Sequence, residues 1–297
     1  MKQPIVSVII PTINSGKTVS MCLNSIKNQT YPSNKIEIIV VDKYSTDNTI
    51  KMARKYTNKI FSKGPERQIQ RNFGVQKSKG EYILFLDCDM TLSKNVIEEC
   101  CKKILNDKKL VGLNIPERII GKGLFGKVRN FERSFYDNTS VDAVRFMRKD
   151  IFLKVGGFDS EMYAAEDWDL DRKIRKFGNI GIITSSLSHH EESVTLQKYL
   201  KKKLYYIKNM NQVYVKKYQN DERAKMQTDF KYRFFFVFVE NGKWRKLLMH
   251  PILAALMFGL RFFIGGMFFL SKLNVFRNVD FPYKSKVGNN ENRNNVG

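Results

Sequence analysis

The chain is short of acid. Its 297 residues carry 29 Asp and Glu against 52 Lys and Arg, a net charge of +23 at neutral pH. That excess disfavours cationic partners and points to acidic ones: phosphorylated substrates, an anionic membrane surface or nucleic acid. Cysteine is scarce as well. Cys22, Cys88, Cys100 and Cys101 show no CxxC spacing and Cys100 and Cys101 are adjacent, which excludes a zinc knuckle and a disulfide framework and suits a reduced, cytosolic chain. No G-x-G-x-x-G follows the first apolar run and no G-x-x-x-x-G-K-[ST] occurs, which argues against a dinucleotide cofactor and a P-loop. There is no internal repeat. No signal peptide is expected, because the first strand begins within a few residues of Met1.

What is present is alternation. Val6–Pro11, Ile36–Asp42, Ile60–Phe61, Tyr82–Asp87 and Val111–Ile115 read as short buried strands. Between them Lys17–Gln29, Thr46–Tyr56, Pro65–Lys77 and Asn95–Leu105 read as helices. Val19, Cys22, Leu23 and Ile26 share one face of the first helix, and Ser45 and Thr46 cap the second. Repeated βα units predict an α/β, mainly parallel, doubly wound sheet. Val144–Met147 and Ile180–Thr184 are later strands and Glu166–Lys176 a later helix. The Gly-rich stretch Gly121–Gly126 lacks periodicity and reads as a mobile, functional loop.

Composition shifts near Glu191. From there 20 Lys and Arg against 8 Asp and Glu leave +12. Thr195–Lys217 reads as a helix with Leu196, Leu200, Leu204 and Ile207 on one side and Lys198, Lys201, Lys202, Lys203 and Lys208 on the other. Leu247–Leu270 is almost wholly apolar, broken by His250-Pro251, Gly259 and Arg261. Its length would allow a single membrane span. Arg261 would cost about 3 kcal/mol there, and Lys243, Arg245, Lys246, Lys272 and Arg277 flank both ends. An interfacial helix, with the Leu256, Phe258, Phe262 and Phe263 face in lipid and cations on phosphates, fits better. The expected organisation is a catalytic domain over 1–190, a basic, membrane-associating helical region over 191–288 and a disordered tail over 289–297. Attachment is expected to be peripheral, on the cytoplasmic face.

Chemistry concentrates at predicted strand ends. Pro11, Thr12 and Asn14 close the first strand, Asp42 the second, and Asp87 and Asp89 the fourth; Gly64–Arg67, with Arg71 beyond, follows the third. In a doubly wound sheet these ends share one edge, where ligands bind. Carboxylates at i and i+2 there call for a cation or solvent, and hard divalent ions choose their oxygens. Asp42 can accept a base N–H, and Arg71 can meet a base or a diphosphate. Glu166, Asp167 and Asp169 open a helix, where the N-terminus stabilises carboxylates; one facing the cleft could deprotonate an acceptor hydroxyl. Arg118, Lys122, Lys127 and Arg129, around the Gly-rich stretch, are expected to form a lid or to receive an acceptor phosphate.

The motifs resemble family 2 glycosyltransferases of the GT-A fold over roughly Pro4 to His190. The blocks are Val6–Pro11 with Thr12-x-Asn14, Leu23-x-Ser25-Ile26-x-x-Gln29, Val41-Asp42-x-x-Ser45-Thr46-Asp47-x-Thr49, Arg71-Asn72-x-Gly74, Lys79–Ile83 through Asp87-x-Asp89, Gly156–Asp159, and Glu166-Asp167. The resemblance implies inverting, Mg²⁺- or Mn²⁺-dependent transfer from a nucleotide-diphospho-sugar donor. It implies Pro11, Thr12, Asn14, Asp42 and Arg71 on the nucleotide, Asp87 on the ribose or diphosphate side, and Asp89 on the metal. Asp167 would be the catalytic base, with Glu166 orienting acceptor or loop. A metal-binding His is common after the last core strand, where His189-His190 stands. Lys43-Tyr44 departs from the pattern, since an acidic or polar residue followed by Gly is usual there. The basic C-terminal region suggests a polyprenyl-phosphate or lipid-linked glycan acceptor at an anionic membrane, and no nucleic-acid partner. A nucleotidyltransferase would want a Gly-rich, basic signature after the first strand. A non-catalytic membrane or nucleic-acid binder would have no need of Asp87, Asp89 and Asp167.

Overall fold

A computed structural model describes residues 3–162 and 164–272, and the backbone alone over 204–212 and 268–272. Leu204, Ile207 and Lys208 as helix-face residues, Arg277 as a flanking charge and the 289–297 tail lie outside the described part.

The first half runs β1 (Val6–Thr12), α1 (Val19–Lys27), β2 (Ile36–Asp42), α2 (Thr49–Ala53), β3 (Ile60–Ser62), α3 (Arg67–Lys77) and β4 (Tyr82–Phe85). Then come β5 (Met90–Leu92), α4 (Val96–Asn106), β6 (Leu110–Asn114), β7 (Glu117–Ile120), α5 (Gly123–Arg133), β8 (Phe146–Arg148), α6 (Lys149–Lys154), α7 (Glu166–Arg175), β9 (Asn179–Ile182) and β10 (Leu187–His190). The C-terminal part holds α8 (Leu196–Lys217), α9 (Glu222–Thr228), a π-turn at Tyr232–Phe236, α10 (Val237–Val239), α11 (Trp244–Met249) and α12 (Pro251–Lys272).

Seven strands form the main sheet in the order β3-β2-β1-β4-β8-β6-β9, parallel except for β8, which runs against β4 and β6. This is the mixed, mainly parallel, doubly wound sheet expected. Both faces are covered, so β1 and β2 read as continuous apolar runs. Val8 and Ile10 point to a core with Leu23, Ile26 and Ile97, while Ile9 points to the other side with Val75, Leu170 and Ile174. A smaller sheet, β5-β10-β7, sits over the carboxyl edge, with β10 antiparallel to β5 and parallel to β7.

Several expectations are corrected. β4 stops at Phe85, so Asp87 and Asp89 occupy the turn into β5, where the Met90 N–H reaches the Asp87 carbonyl at 3.0 Å. α2 starts at Thr49 instead of Thr46, because Ser45 and Thr46 are bonded to Asp42 and Asn14 while Asp47 accepts from the Thr49 N–H at 2.9 Å. Gly121–Gly126 is no open loop: α5 begins at Gly123. A β-carbon on Gly126 would fall 2.3 Å from the Gly121 carbonyl carbon, so these two glycines let backbone meet backbone. His189 and His190 lie on a strand, not in a loop.

α11 and α12 break at His250-Pro251, as the sequence suggests, and α12 packs on α5. Ala254 and Met257 join Val128, Phe131, Phe135 and Phe238 in a separate core. Arg261 is buried there, its guanidinium bound to Glu132, to the Tyr136 hydroxyl at 2.8 Å and to the Arg233 carbonyl. Phe258 packs against this core too, which removes it from the face expected in lipid. Among the described residues, no helix is long and apolar enough to cross a membrane.

Candidate active site

The ends of β1 and β2 meet through hydrogen bonds. The Thr12 hydroxyl donates to Asp42 at 2.7 Å, and Ser45 donates to the same carboxylate from its N–H at 2.7 Å and its hydroxyl at 2.6 Å. Asn14 ties the two loops together: its N–H reaches the Ser45 hydroxyl at 2.8 Å and its side-chain oxygen accepts from the Thr46 N–H at 3.0 Å. Pro11 is buried within β1. From α3, Gln70 donates to the carbonyls of Thr12 and Val41 at 3.0 and 2.7 Å, holding the two strand ends together. One of three glutamines in an amphipathic helix, Gln70 carries no sequence signal of that role.

Arg71 crosses the floor of the cleft. One amine donates to Asp87 and the other to Asp167, both at 2.8 Å, and the guanidinium lies 5.2 Å from the Phe158 ring centroid and 5.8 Å from that of Phe85. It is 1% exposed, so the cation expected on a base or diphosphate is committed to two carboxylates. Arg67, expected at this edge without a stated partner, stands 3.5 Å from Asp87 and pairs with Glu166. Burial opposes the Asp87 charge, but Arg71 and Arg67 outweigh it and hold the carboxyl well below the usual range.

Asp89 faces the second sheet. Its carboxylate is 43% exposed and lies 3.3 Å from His189 Nε2, and its carbonyl accepts from the His190 N–H at 2.9 Å. Glu117, buried, meets His189 Nδ1 at 3.1 Å and is itself bound by Arg145 at 2.7 Å and Arg133 at 3.2 Å. Burial would lower the imidazole pKa, yet Asp89 and Glu117 push it up to about 9. His190 turns away, to the Thr91 hydroxyl and Glu192, each at 3.1 Å. Among the described residues no three His, Cys, Asp or Glu side chains gather closely enough to hold a metal by themselves. An exposed carboxylate beside an imidazole does fit a divalent cation that draws its other oxygens from a diphosphate. Glu117, bonded to the far nitrogen, would fix the ring.

α7 opens from Ala165, whose φ of 66° is left-handed. Asp167 is 42% exposed and faces Arg71, whereas Glu166 is buried, and burial with Asp167 alongside raises its pKa. Farther along α7, Asp169 pairs with Lys173 and Lys217 and Asp171 with Arg175, so of the acids on this helix only Glu166 and Asp167 serve the cleft. Behind Asp167 is a cavity of about 130 Å³ lined by Arg71, Asp142, Arg145 and Trp168. The basic group around Gly121–Gly126 disperses: Arg118 pairs with Asp137 at 2.8 Å, Arg129 is buried against Glu132 at 2.6 Å, and Lys122 and Lys127 are exposed.

Residues 7–158, half of the chain, match the family model described as Glycosyl transferase family 2. The chain belongs to that family. It is 32% identical over 155 residues to the poly(ribitol-phosphate) beta-N-acetylglucosaminyltransferase TarP of Staphylococcus aureus strain N315, a match covering 50% of this chain and 45% of TarP. The match thus spans less than half the length of that curated relative. The mannosyltransferase PcManGT of Pyrobaculum calidifontis, solved with GDP-Man and Mn²⁺, superposes with a TM-score of 0.64 at 17% identity, over 94% of this chain and 89% of that one. S. aureus TarS 1-349 in complex with UDP gives 0.52 at 20% identity, over 77% and 72%. The likeness in fold to PcManGT therefore runs beyond residue 158 and into the C-terminal helices.

Proposed function

We propose that this family 2 chain transfers a sugar, with inversion, from a nucleotide diphosphate to a hydroxyl of a glycan held at a membrane surface. The observation that carries the reading is the exposed carboxylate of Asp167, fixed by a buried Arg71 that also holds Asp87, across the cleft from Asp89 and His189. A donor lying over the strand ends would put its base near Thr12, Asn14 and Asp42 and its diphosphate toward Asp89. Asp87, held between Arg67 and Arg71, would face the ribose side.

Asp167 accepts the proton of the attacking hydroxyl in this reading, and attack opposite the diphosphate inverts the anomeric carbon. Arg71 holds Asp167, while Arg67 ties the neighbouring Glu166 to Asp87, so the base is fixed directly by one cation and its helix start by the other where the acceptor arrives. Mg²⁺ or Mn²⁺ bound at Asp89 and His189 would neutralise charge on the leaving diphosphate. The GDP-Man and Mn²⁺ of PcManGT and the UDP of TarS lend support to a nucleotide sugar and a divalent ion here.

The acceptor side rests on the C-terminal surface. Trp244, Leu248, Met249, Ile252, Phe262 and Phe263 are each about half exposed or more, with Arg245 exposed among them. Such a set of exposed apolar side chains, with Arg245 beside it on a +23 chain, suits peripheral docking on an anionic bilayer, and so a lipid-linked glycan acceptor. The decisive experiment incubates the protein with a panel of nucleotide sugars, Mn²⁺ and lipid-linked glycans, beside Asp167→Asn. Transfer should fall by about 10²- to 10⁴-fold in the variant while donor binding persists. Wild-type turnover in Asp167→Asn would refute the assignment.

A further inference from the structure

Tyr44 holds a backbone conformation that its own side chain does not account for. Its φ is 50°, in the left-handed region where bulky residues are genuine outliers. Asn14, at φ 44°, shares that region, but asparagine tolerates it and its side-chain oxygen accepts from the Thr46 N–H. Tyr44 has no such reason. Among the described residues, no hydrogen bond, ring–ring or cation–ring contact engages it, and it is 69% exposed.

Strain of this kind persists only where the surroundings impose it, and it collects at ligand clamps. Here the neighbours impose it. The Lys43 N–H is held by the Thr12 carbonyl at 2.8 Å, and the Ser45 N–H by the Asp42 carboxylate at 2.7 Å. Tyr44 is thus pinned between the two strand ends that carry Thr12 and Asp42. Its ring leans along the start of the β3–α3 connection, where a β-carbon placed on Gly64 would lie 3.5 Å from it. The result is an exposed aromatic ring with its Cδ2–Cε2 edge toward Gly64, two residues from Asp42. Such a ring recognises another flat aromatic, because every base offers a π-face whatever its edge.

We propose that Tyr44 is a specificity-determining platform on which the nucleobase of the donor stacks, beside the β1 and β2 ends that Thr12 and Asp42 lock together. The inference rests on the nucleotide-diphosphate reading above and adds which residue recognises the base. It also accounts for a strained tyrosine at a site where glycine would be relaxed.

The test measures binding by titration calorimetry to uridine, guanosine, cytidine and adenosine diphosphates, each with Mn²⁺, and to Mn²⁺-pyrophosphate, which has no base. Wild type, Tyr44→Gly and Tyr44→Phe are compared, with thermal unfolding recorded for each. Tyr44→Gly should lose about tenfold affinity for the preferred nucleoside diphosphate, ~1.4 kcal/mol, and none for pyrophosphate, with an unfolding temperature no lower than wild type. Tyr44→Phe should bind as wild type does. Unchanged nucleotide affinity in Tyr44→Gly, or an equal loss for pyrophosphate, would overturn the proposal. Failure of the wild type to bind any of the four nucleotides would instead bring down the donor reading, and this inference with it.

Discussion

Arg71 lies under the cleft with Asp87 on one amine and Asp167 on the other, and its planar fork is what allows both bonds at once. Replacing it by leucine leaves two carboxylates facing each other without their shared cation. We expect Arg71→Leu to cost about 3–5 kcal/mol in urea unfolding, the usual cost of breaking a buried pair. Arg71→Lys should recover part of that stability but little turnover, since an ammonium cannot bridge both acids in the plane. Equal stability of all three proteins would show that the bridge is not structural. At this scale the sequence exposed the acids and hid their partners. Asp42, Asp87, Asp89 and Asp167 are visible because a carboxylate beside an apolar run demands an explanation. Gln70 and Glu117 are invisible because charged and amide side chains are ordinary on helices and short strands, and only the fold turns them inward.

Among the elements, the long apolar strands β1 and β2 and the helices α1, α3, α4 and α7 could be read to within a few residues, since each has a strong period and a buried stripe. β5, β7 and β10 could not, being three or four residues of mixed polarity that pair only with one another. α5 was hidden by its glycines. That helix matters because its Glu132 binds Arg129 at 2.6 Å and also Arg261 of α12. Burial opposes the Glu132 charge, yet Arg129 and Arg261 hold its pKa well below the ordinary value of 4.5. A carboxyl lowered by folding contributes stability that is fully present above the unfolded value and is lost as pH falls toward the folded one. The urea midpoint of the wild type should therefore drop between about pH 5 and pH 2, and Glu132→Gln should flatten that limb. A limb of the same slope in both proteins would place the acid sensitivity elsewhere.

For the whole molecule, charge and the C-terminal helices pull in one direction. Arg261, which argues against a membrane span on insertion cost, is neutralised inside the protein by Glu132, while Leu248, Ile252, Phe262 and Phe263 stay exposed outside. If that surface docks on lipid, serine at Leu248, Ile252, Phe262 and Phe263 together should abolish co-sedimentation with anionic vesicles while nucleotide binding is retained. Unchanged sedimentation would sink the peripheral-membrane reading. Raised salt should weaken wild-type binding only in part, because the apolar contribution is not screened.

The contact between Gly121 and Gly126 gives that surface its alignment. α5 leaves β7 through a corner with no room for a side chain, and β7 pairs with the strand that carries His189. α12 in turn lies along α5. The two glycines thus sit between the strand pair that borders the cleft and the helix whose outer side carries Ile252, Phe262 and Phe263. A single methyl group there would push α5 off β7 and carry α12 with it, so one small substitution would be felt at His189 and at the far surface together.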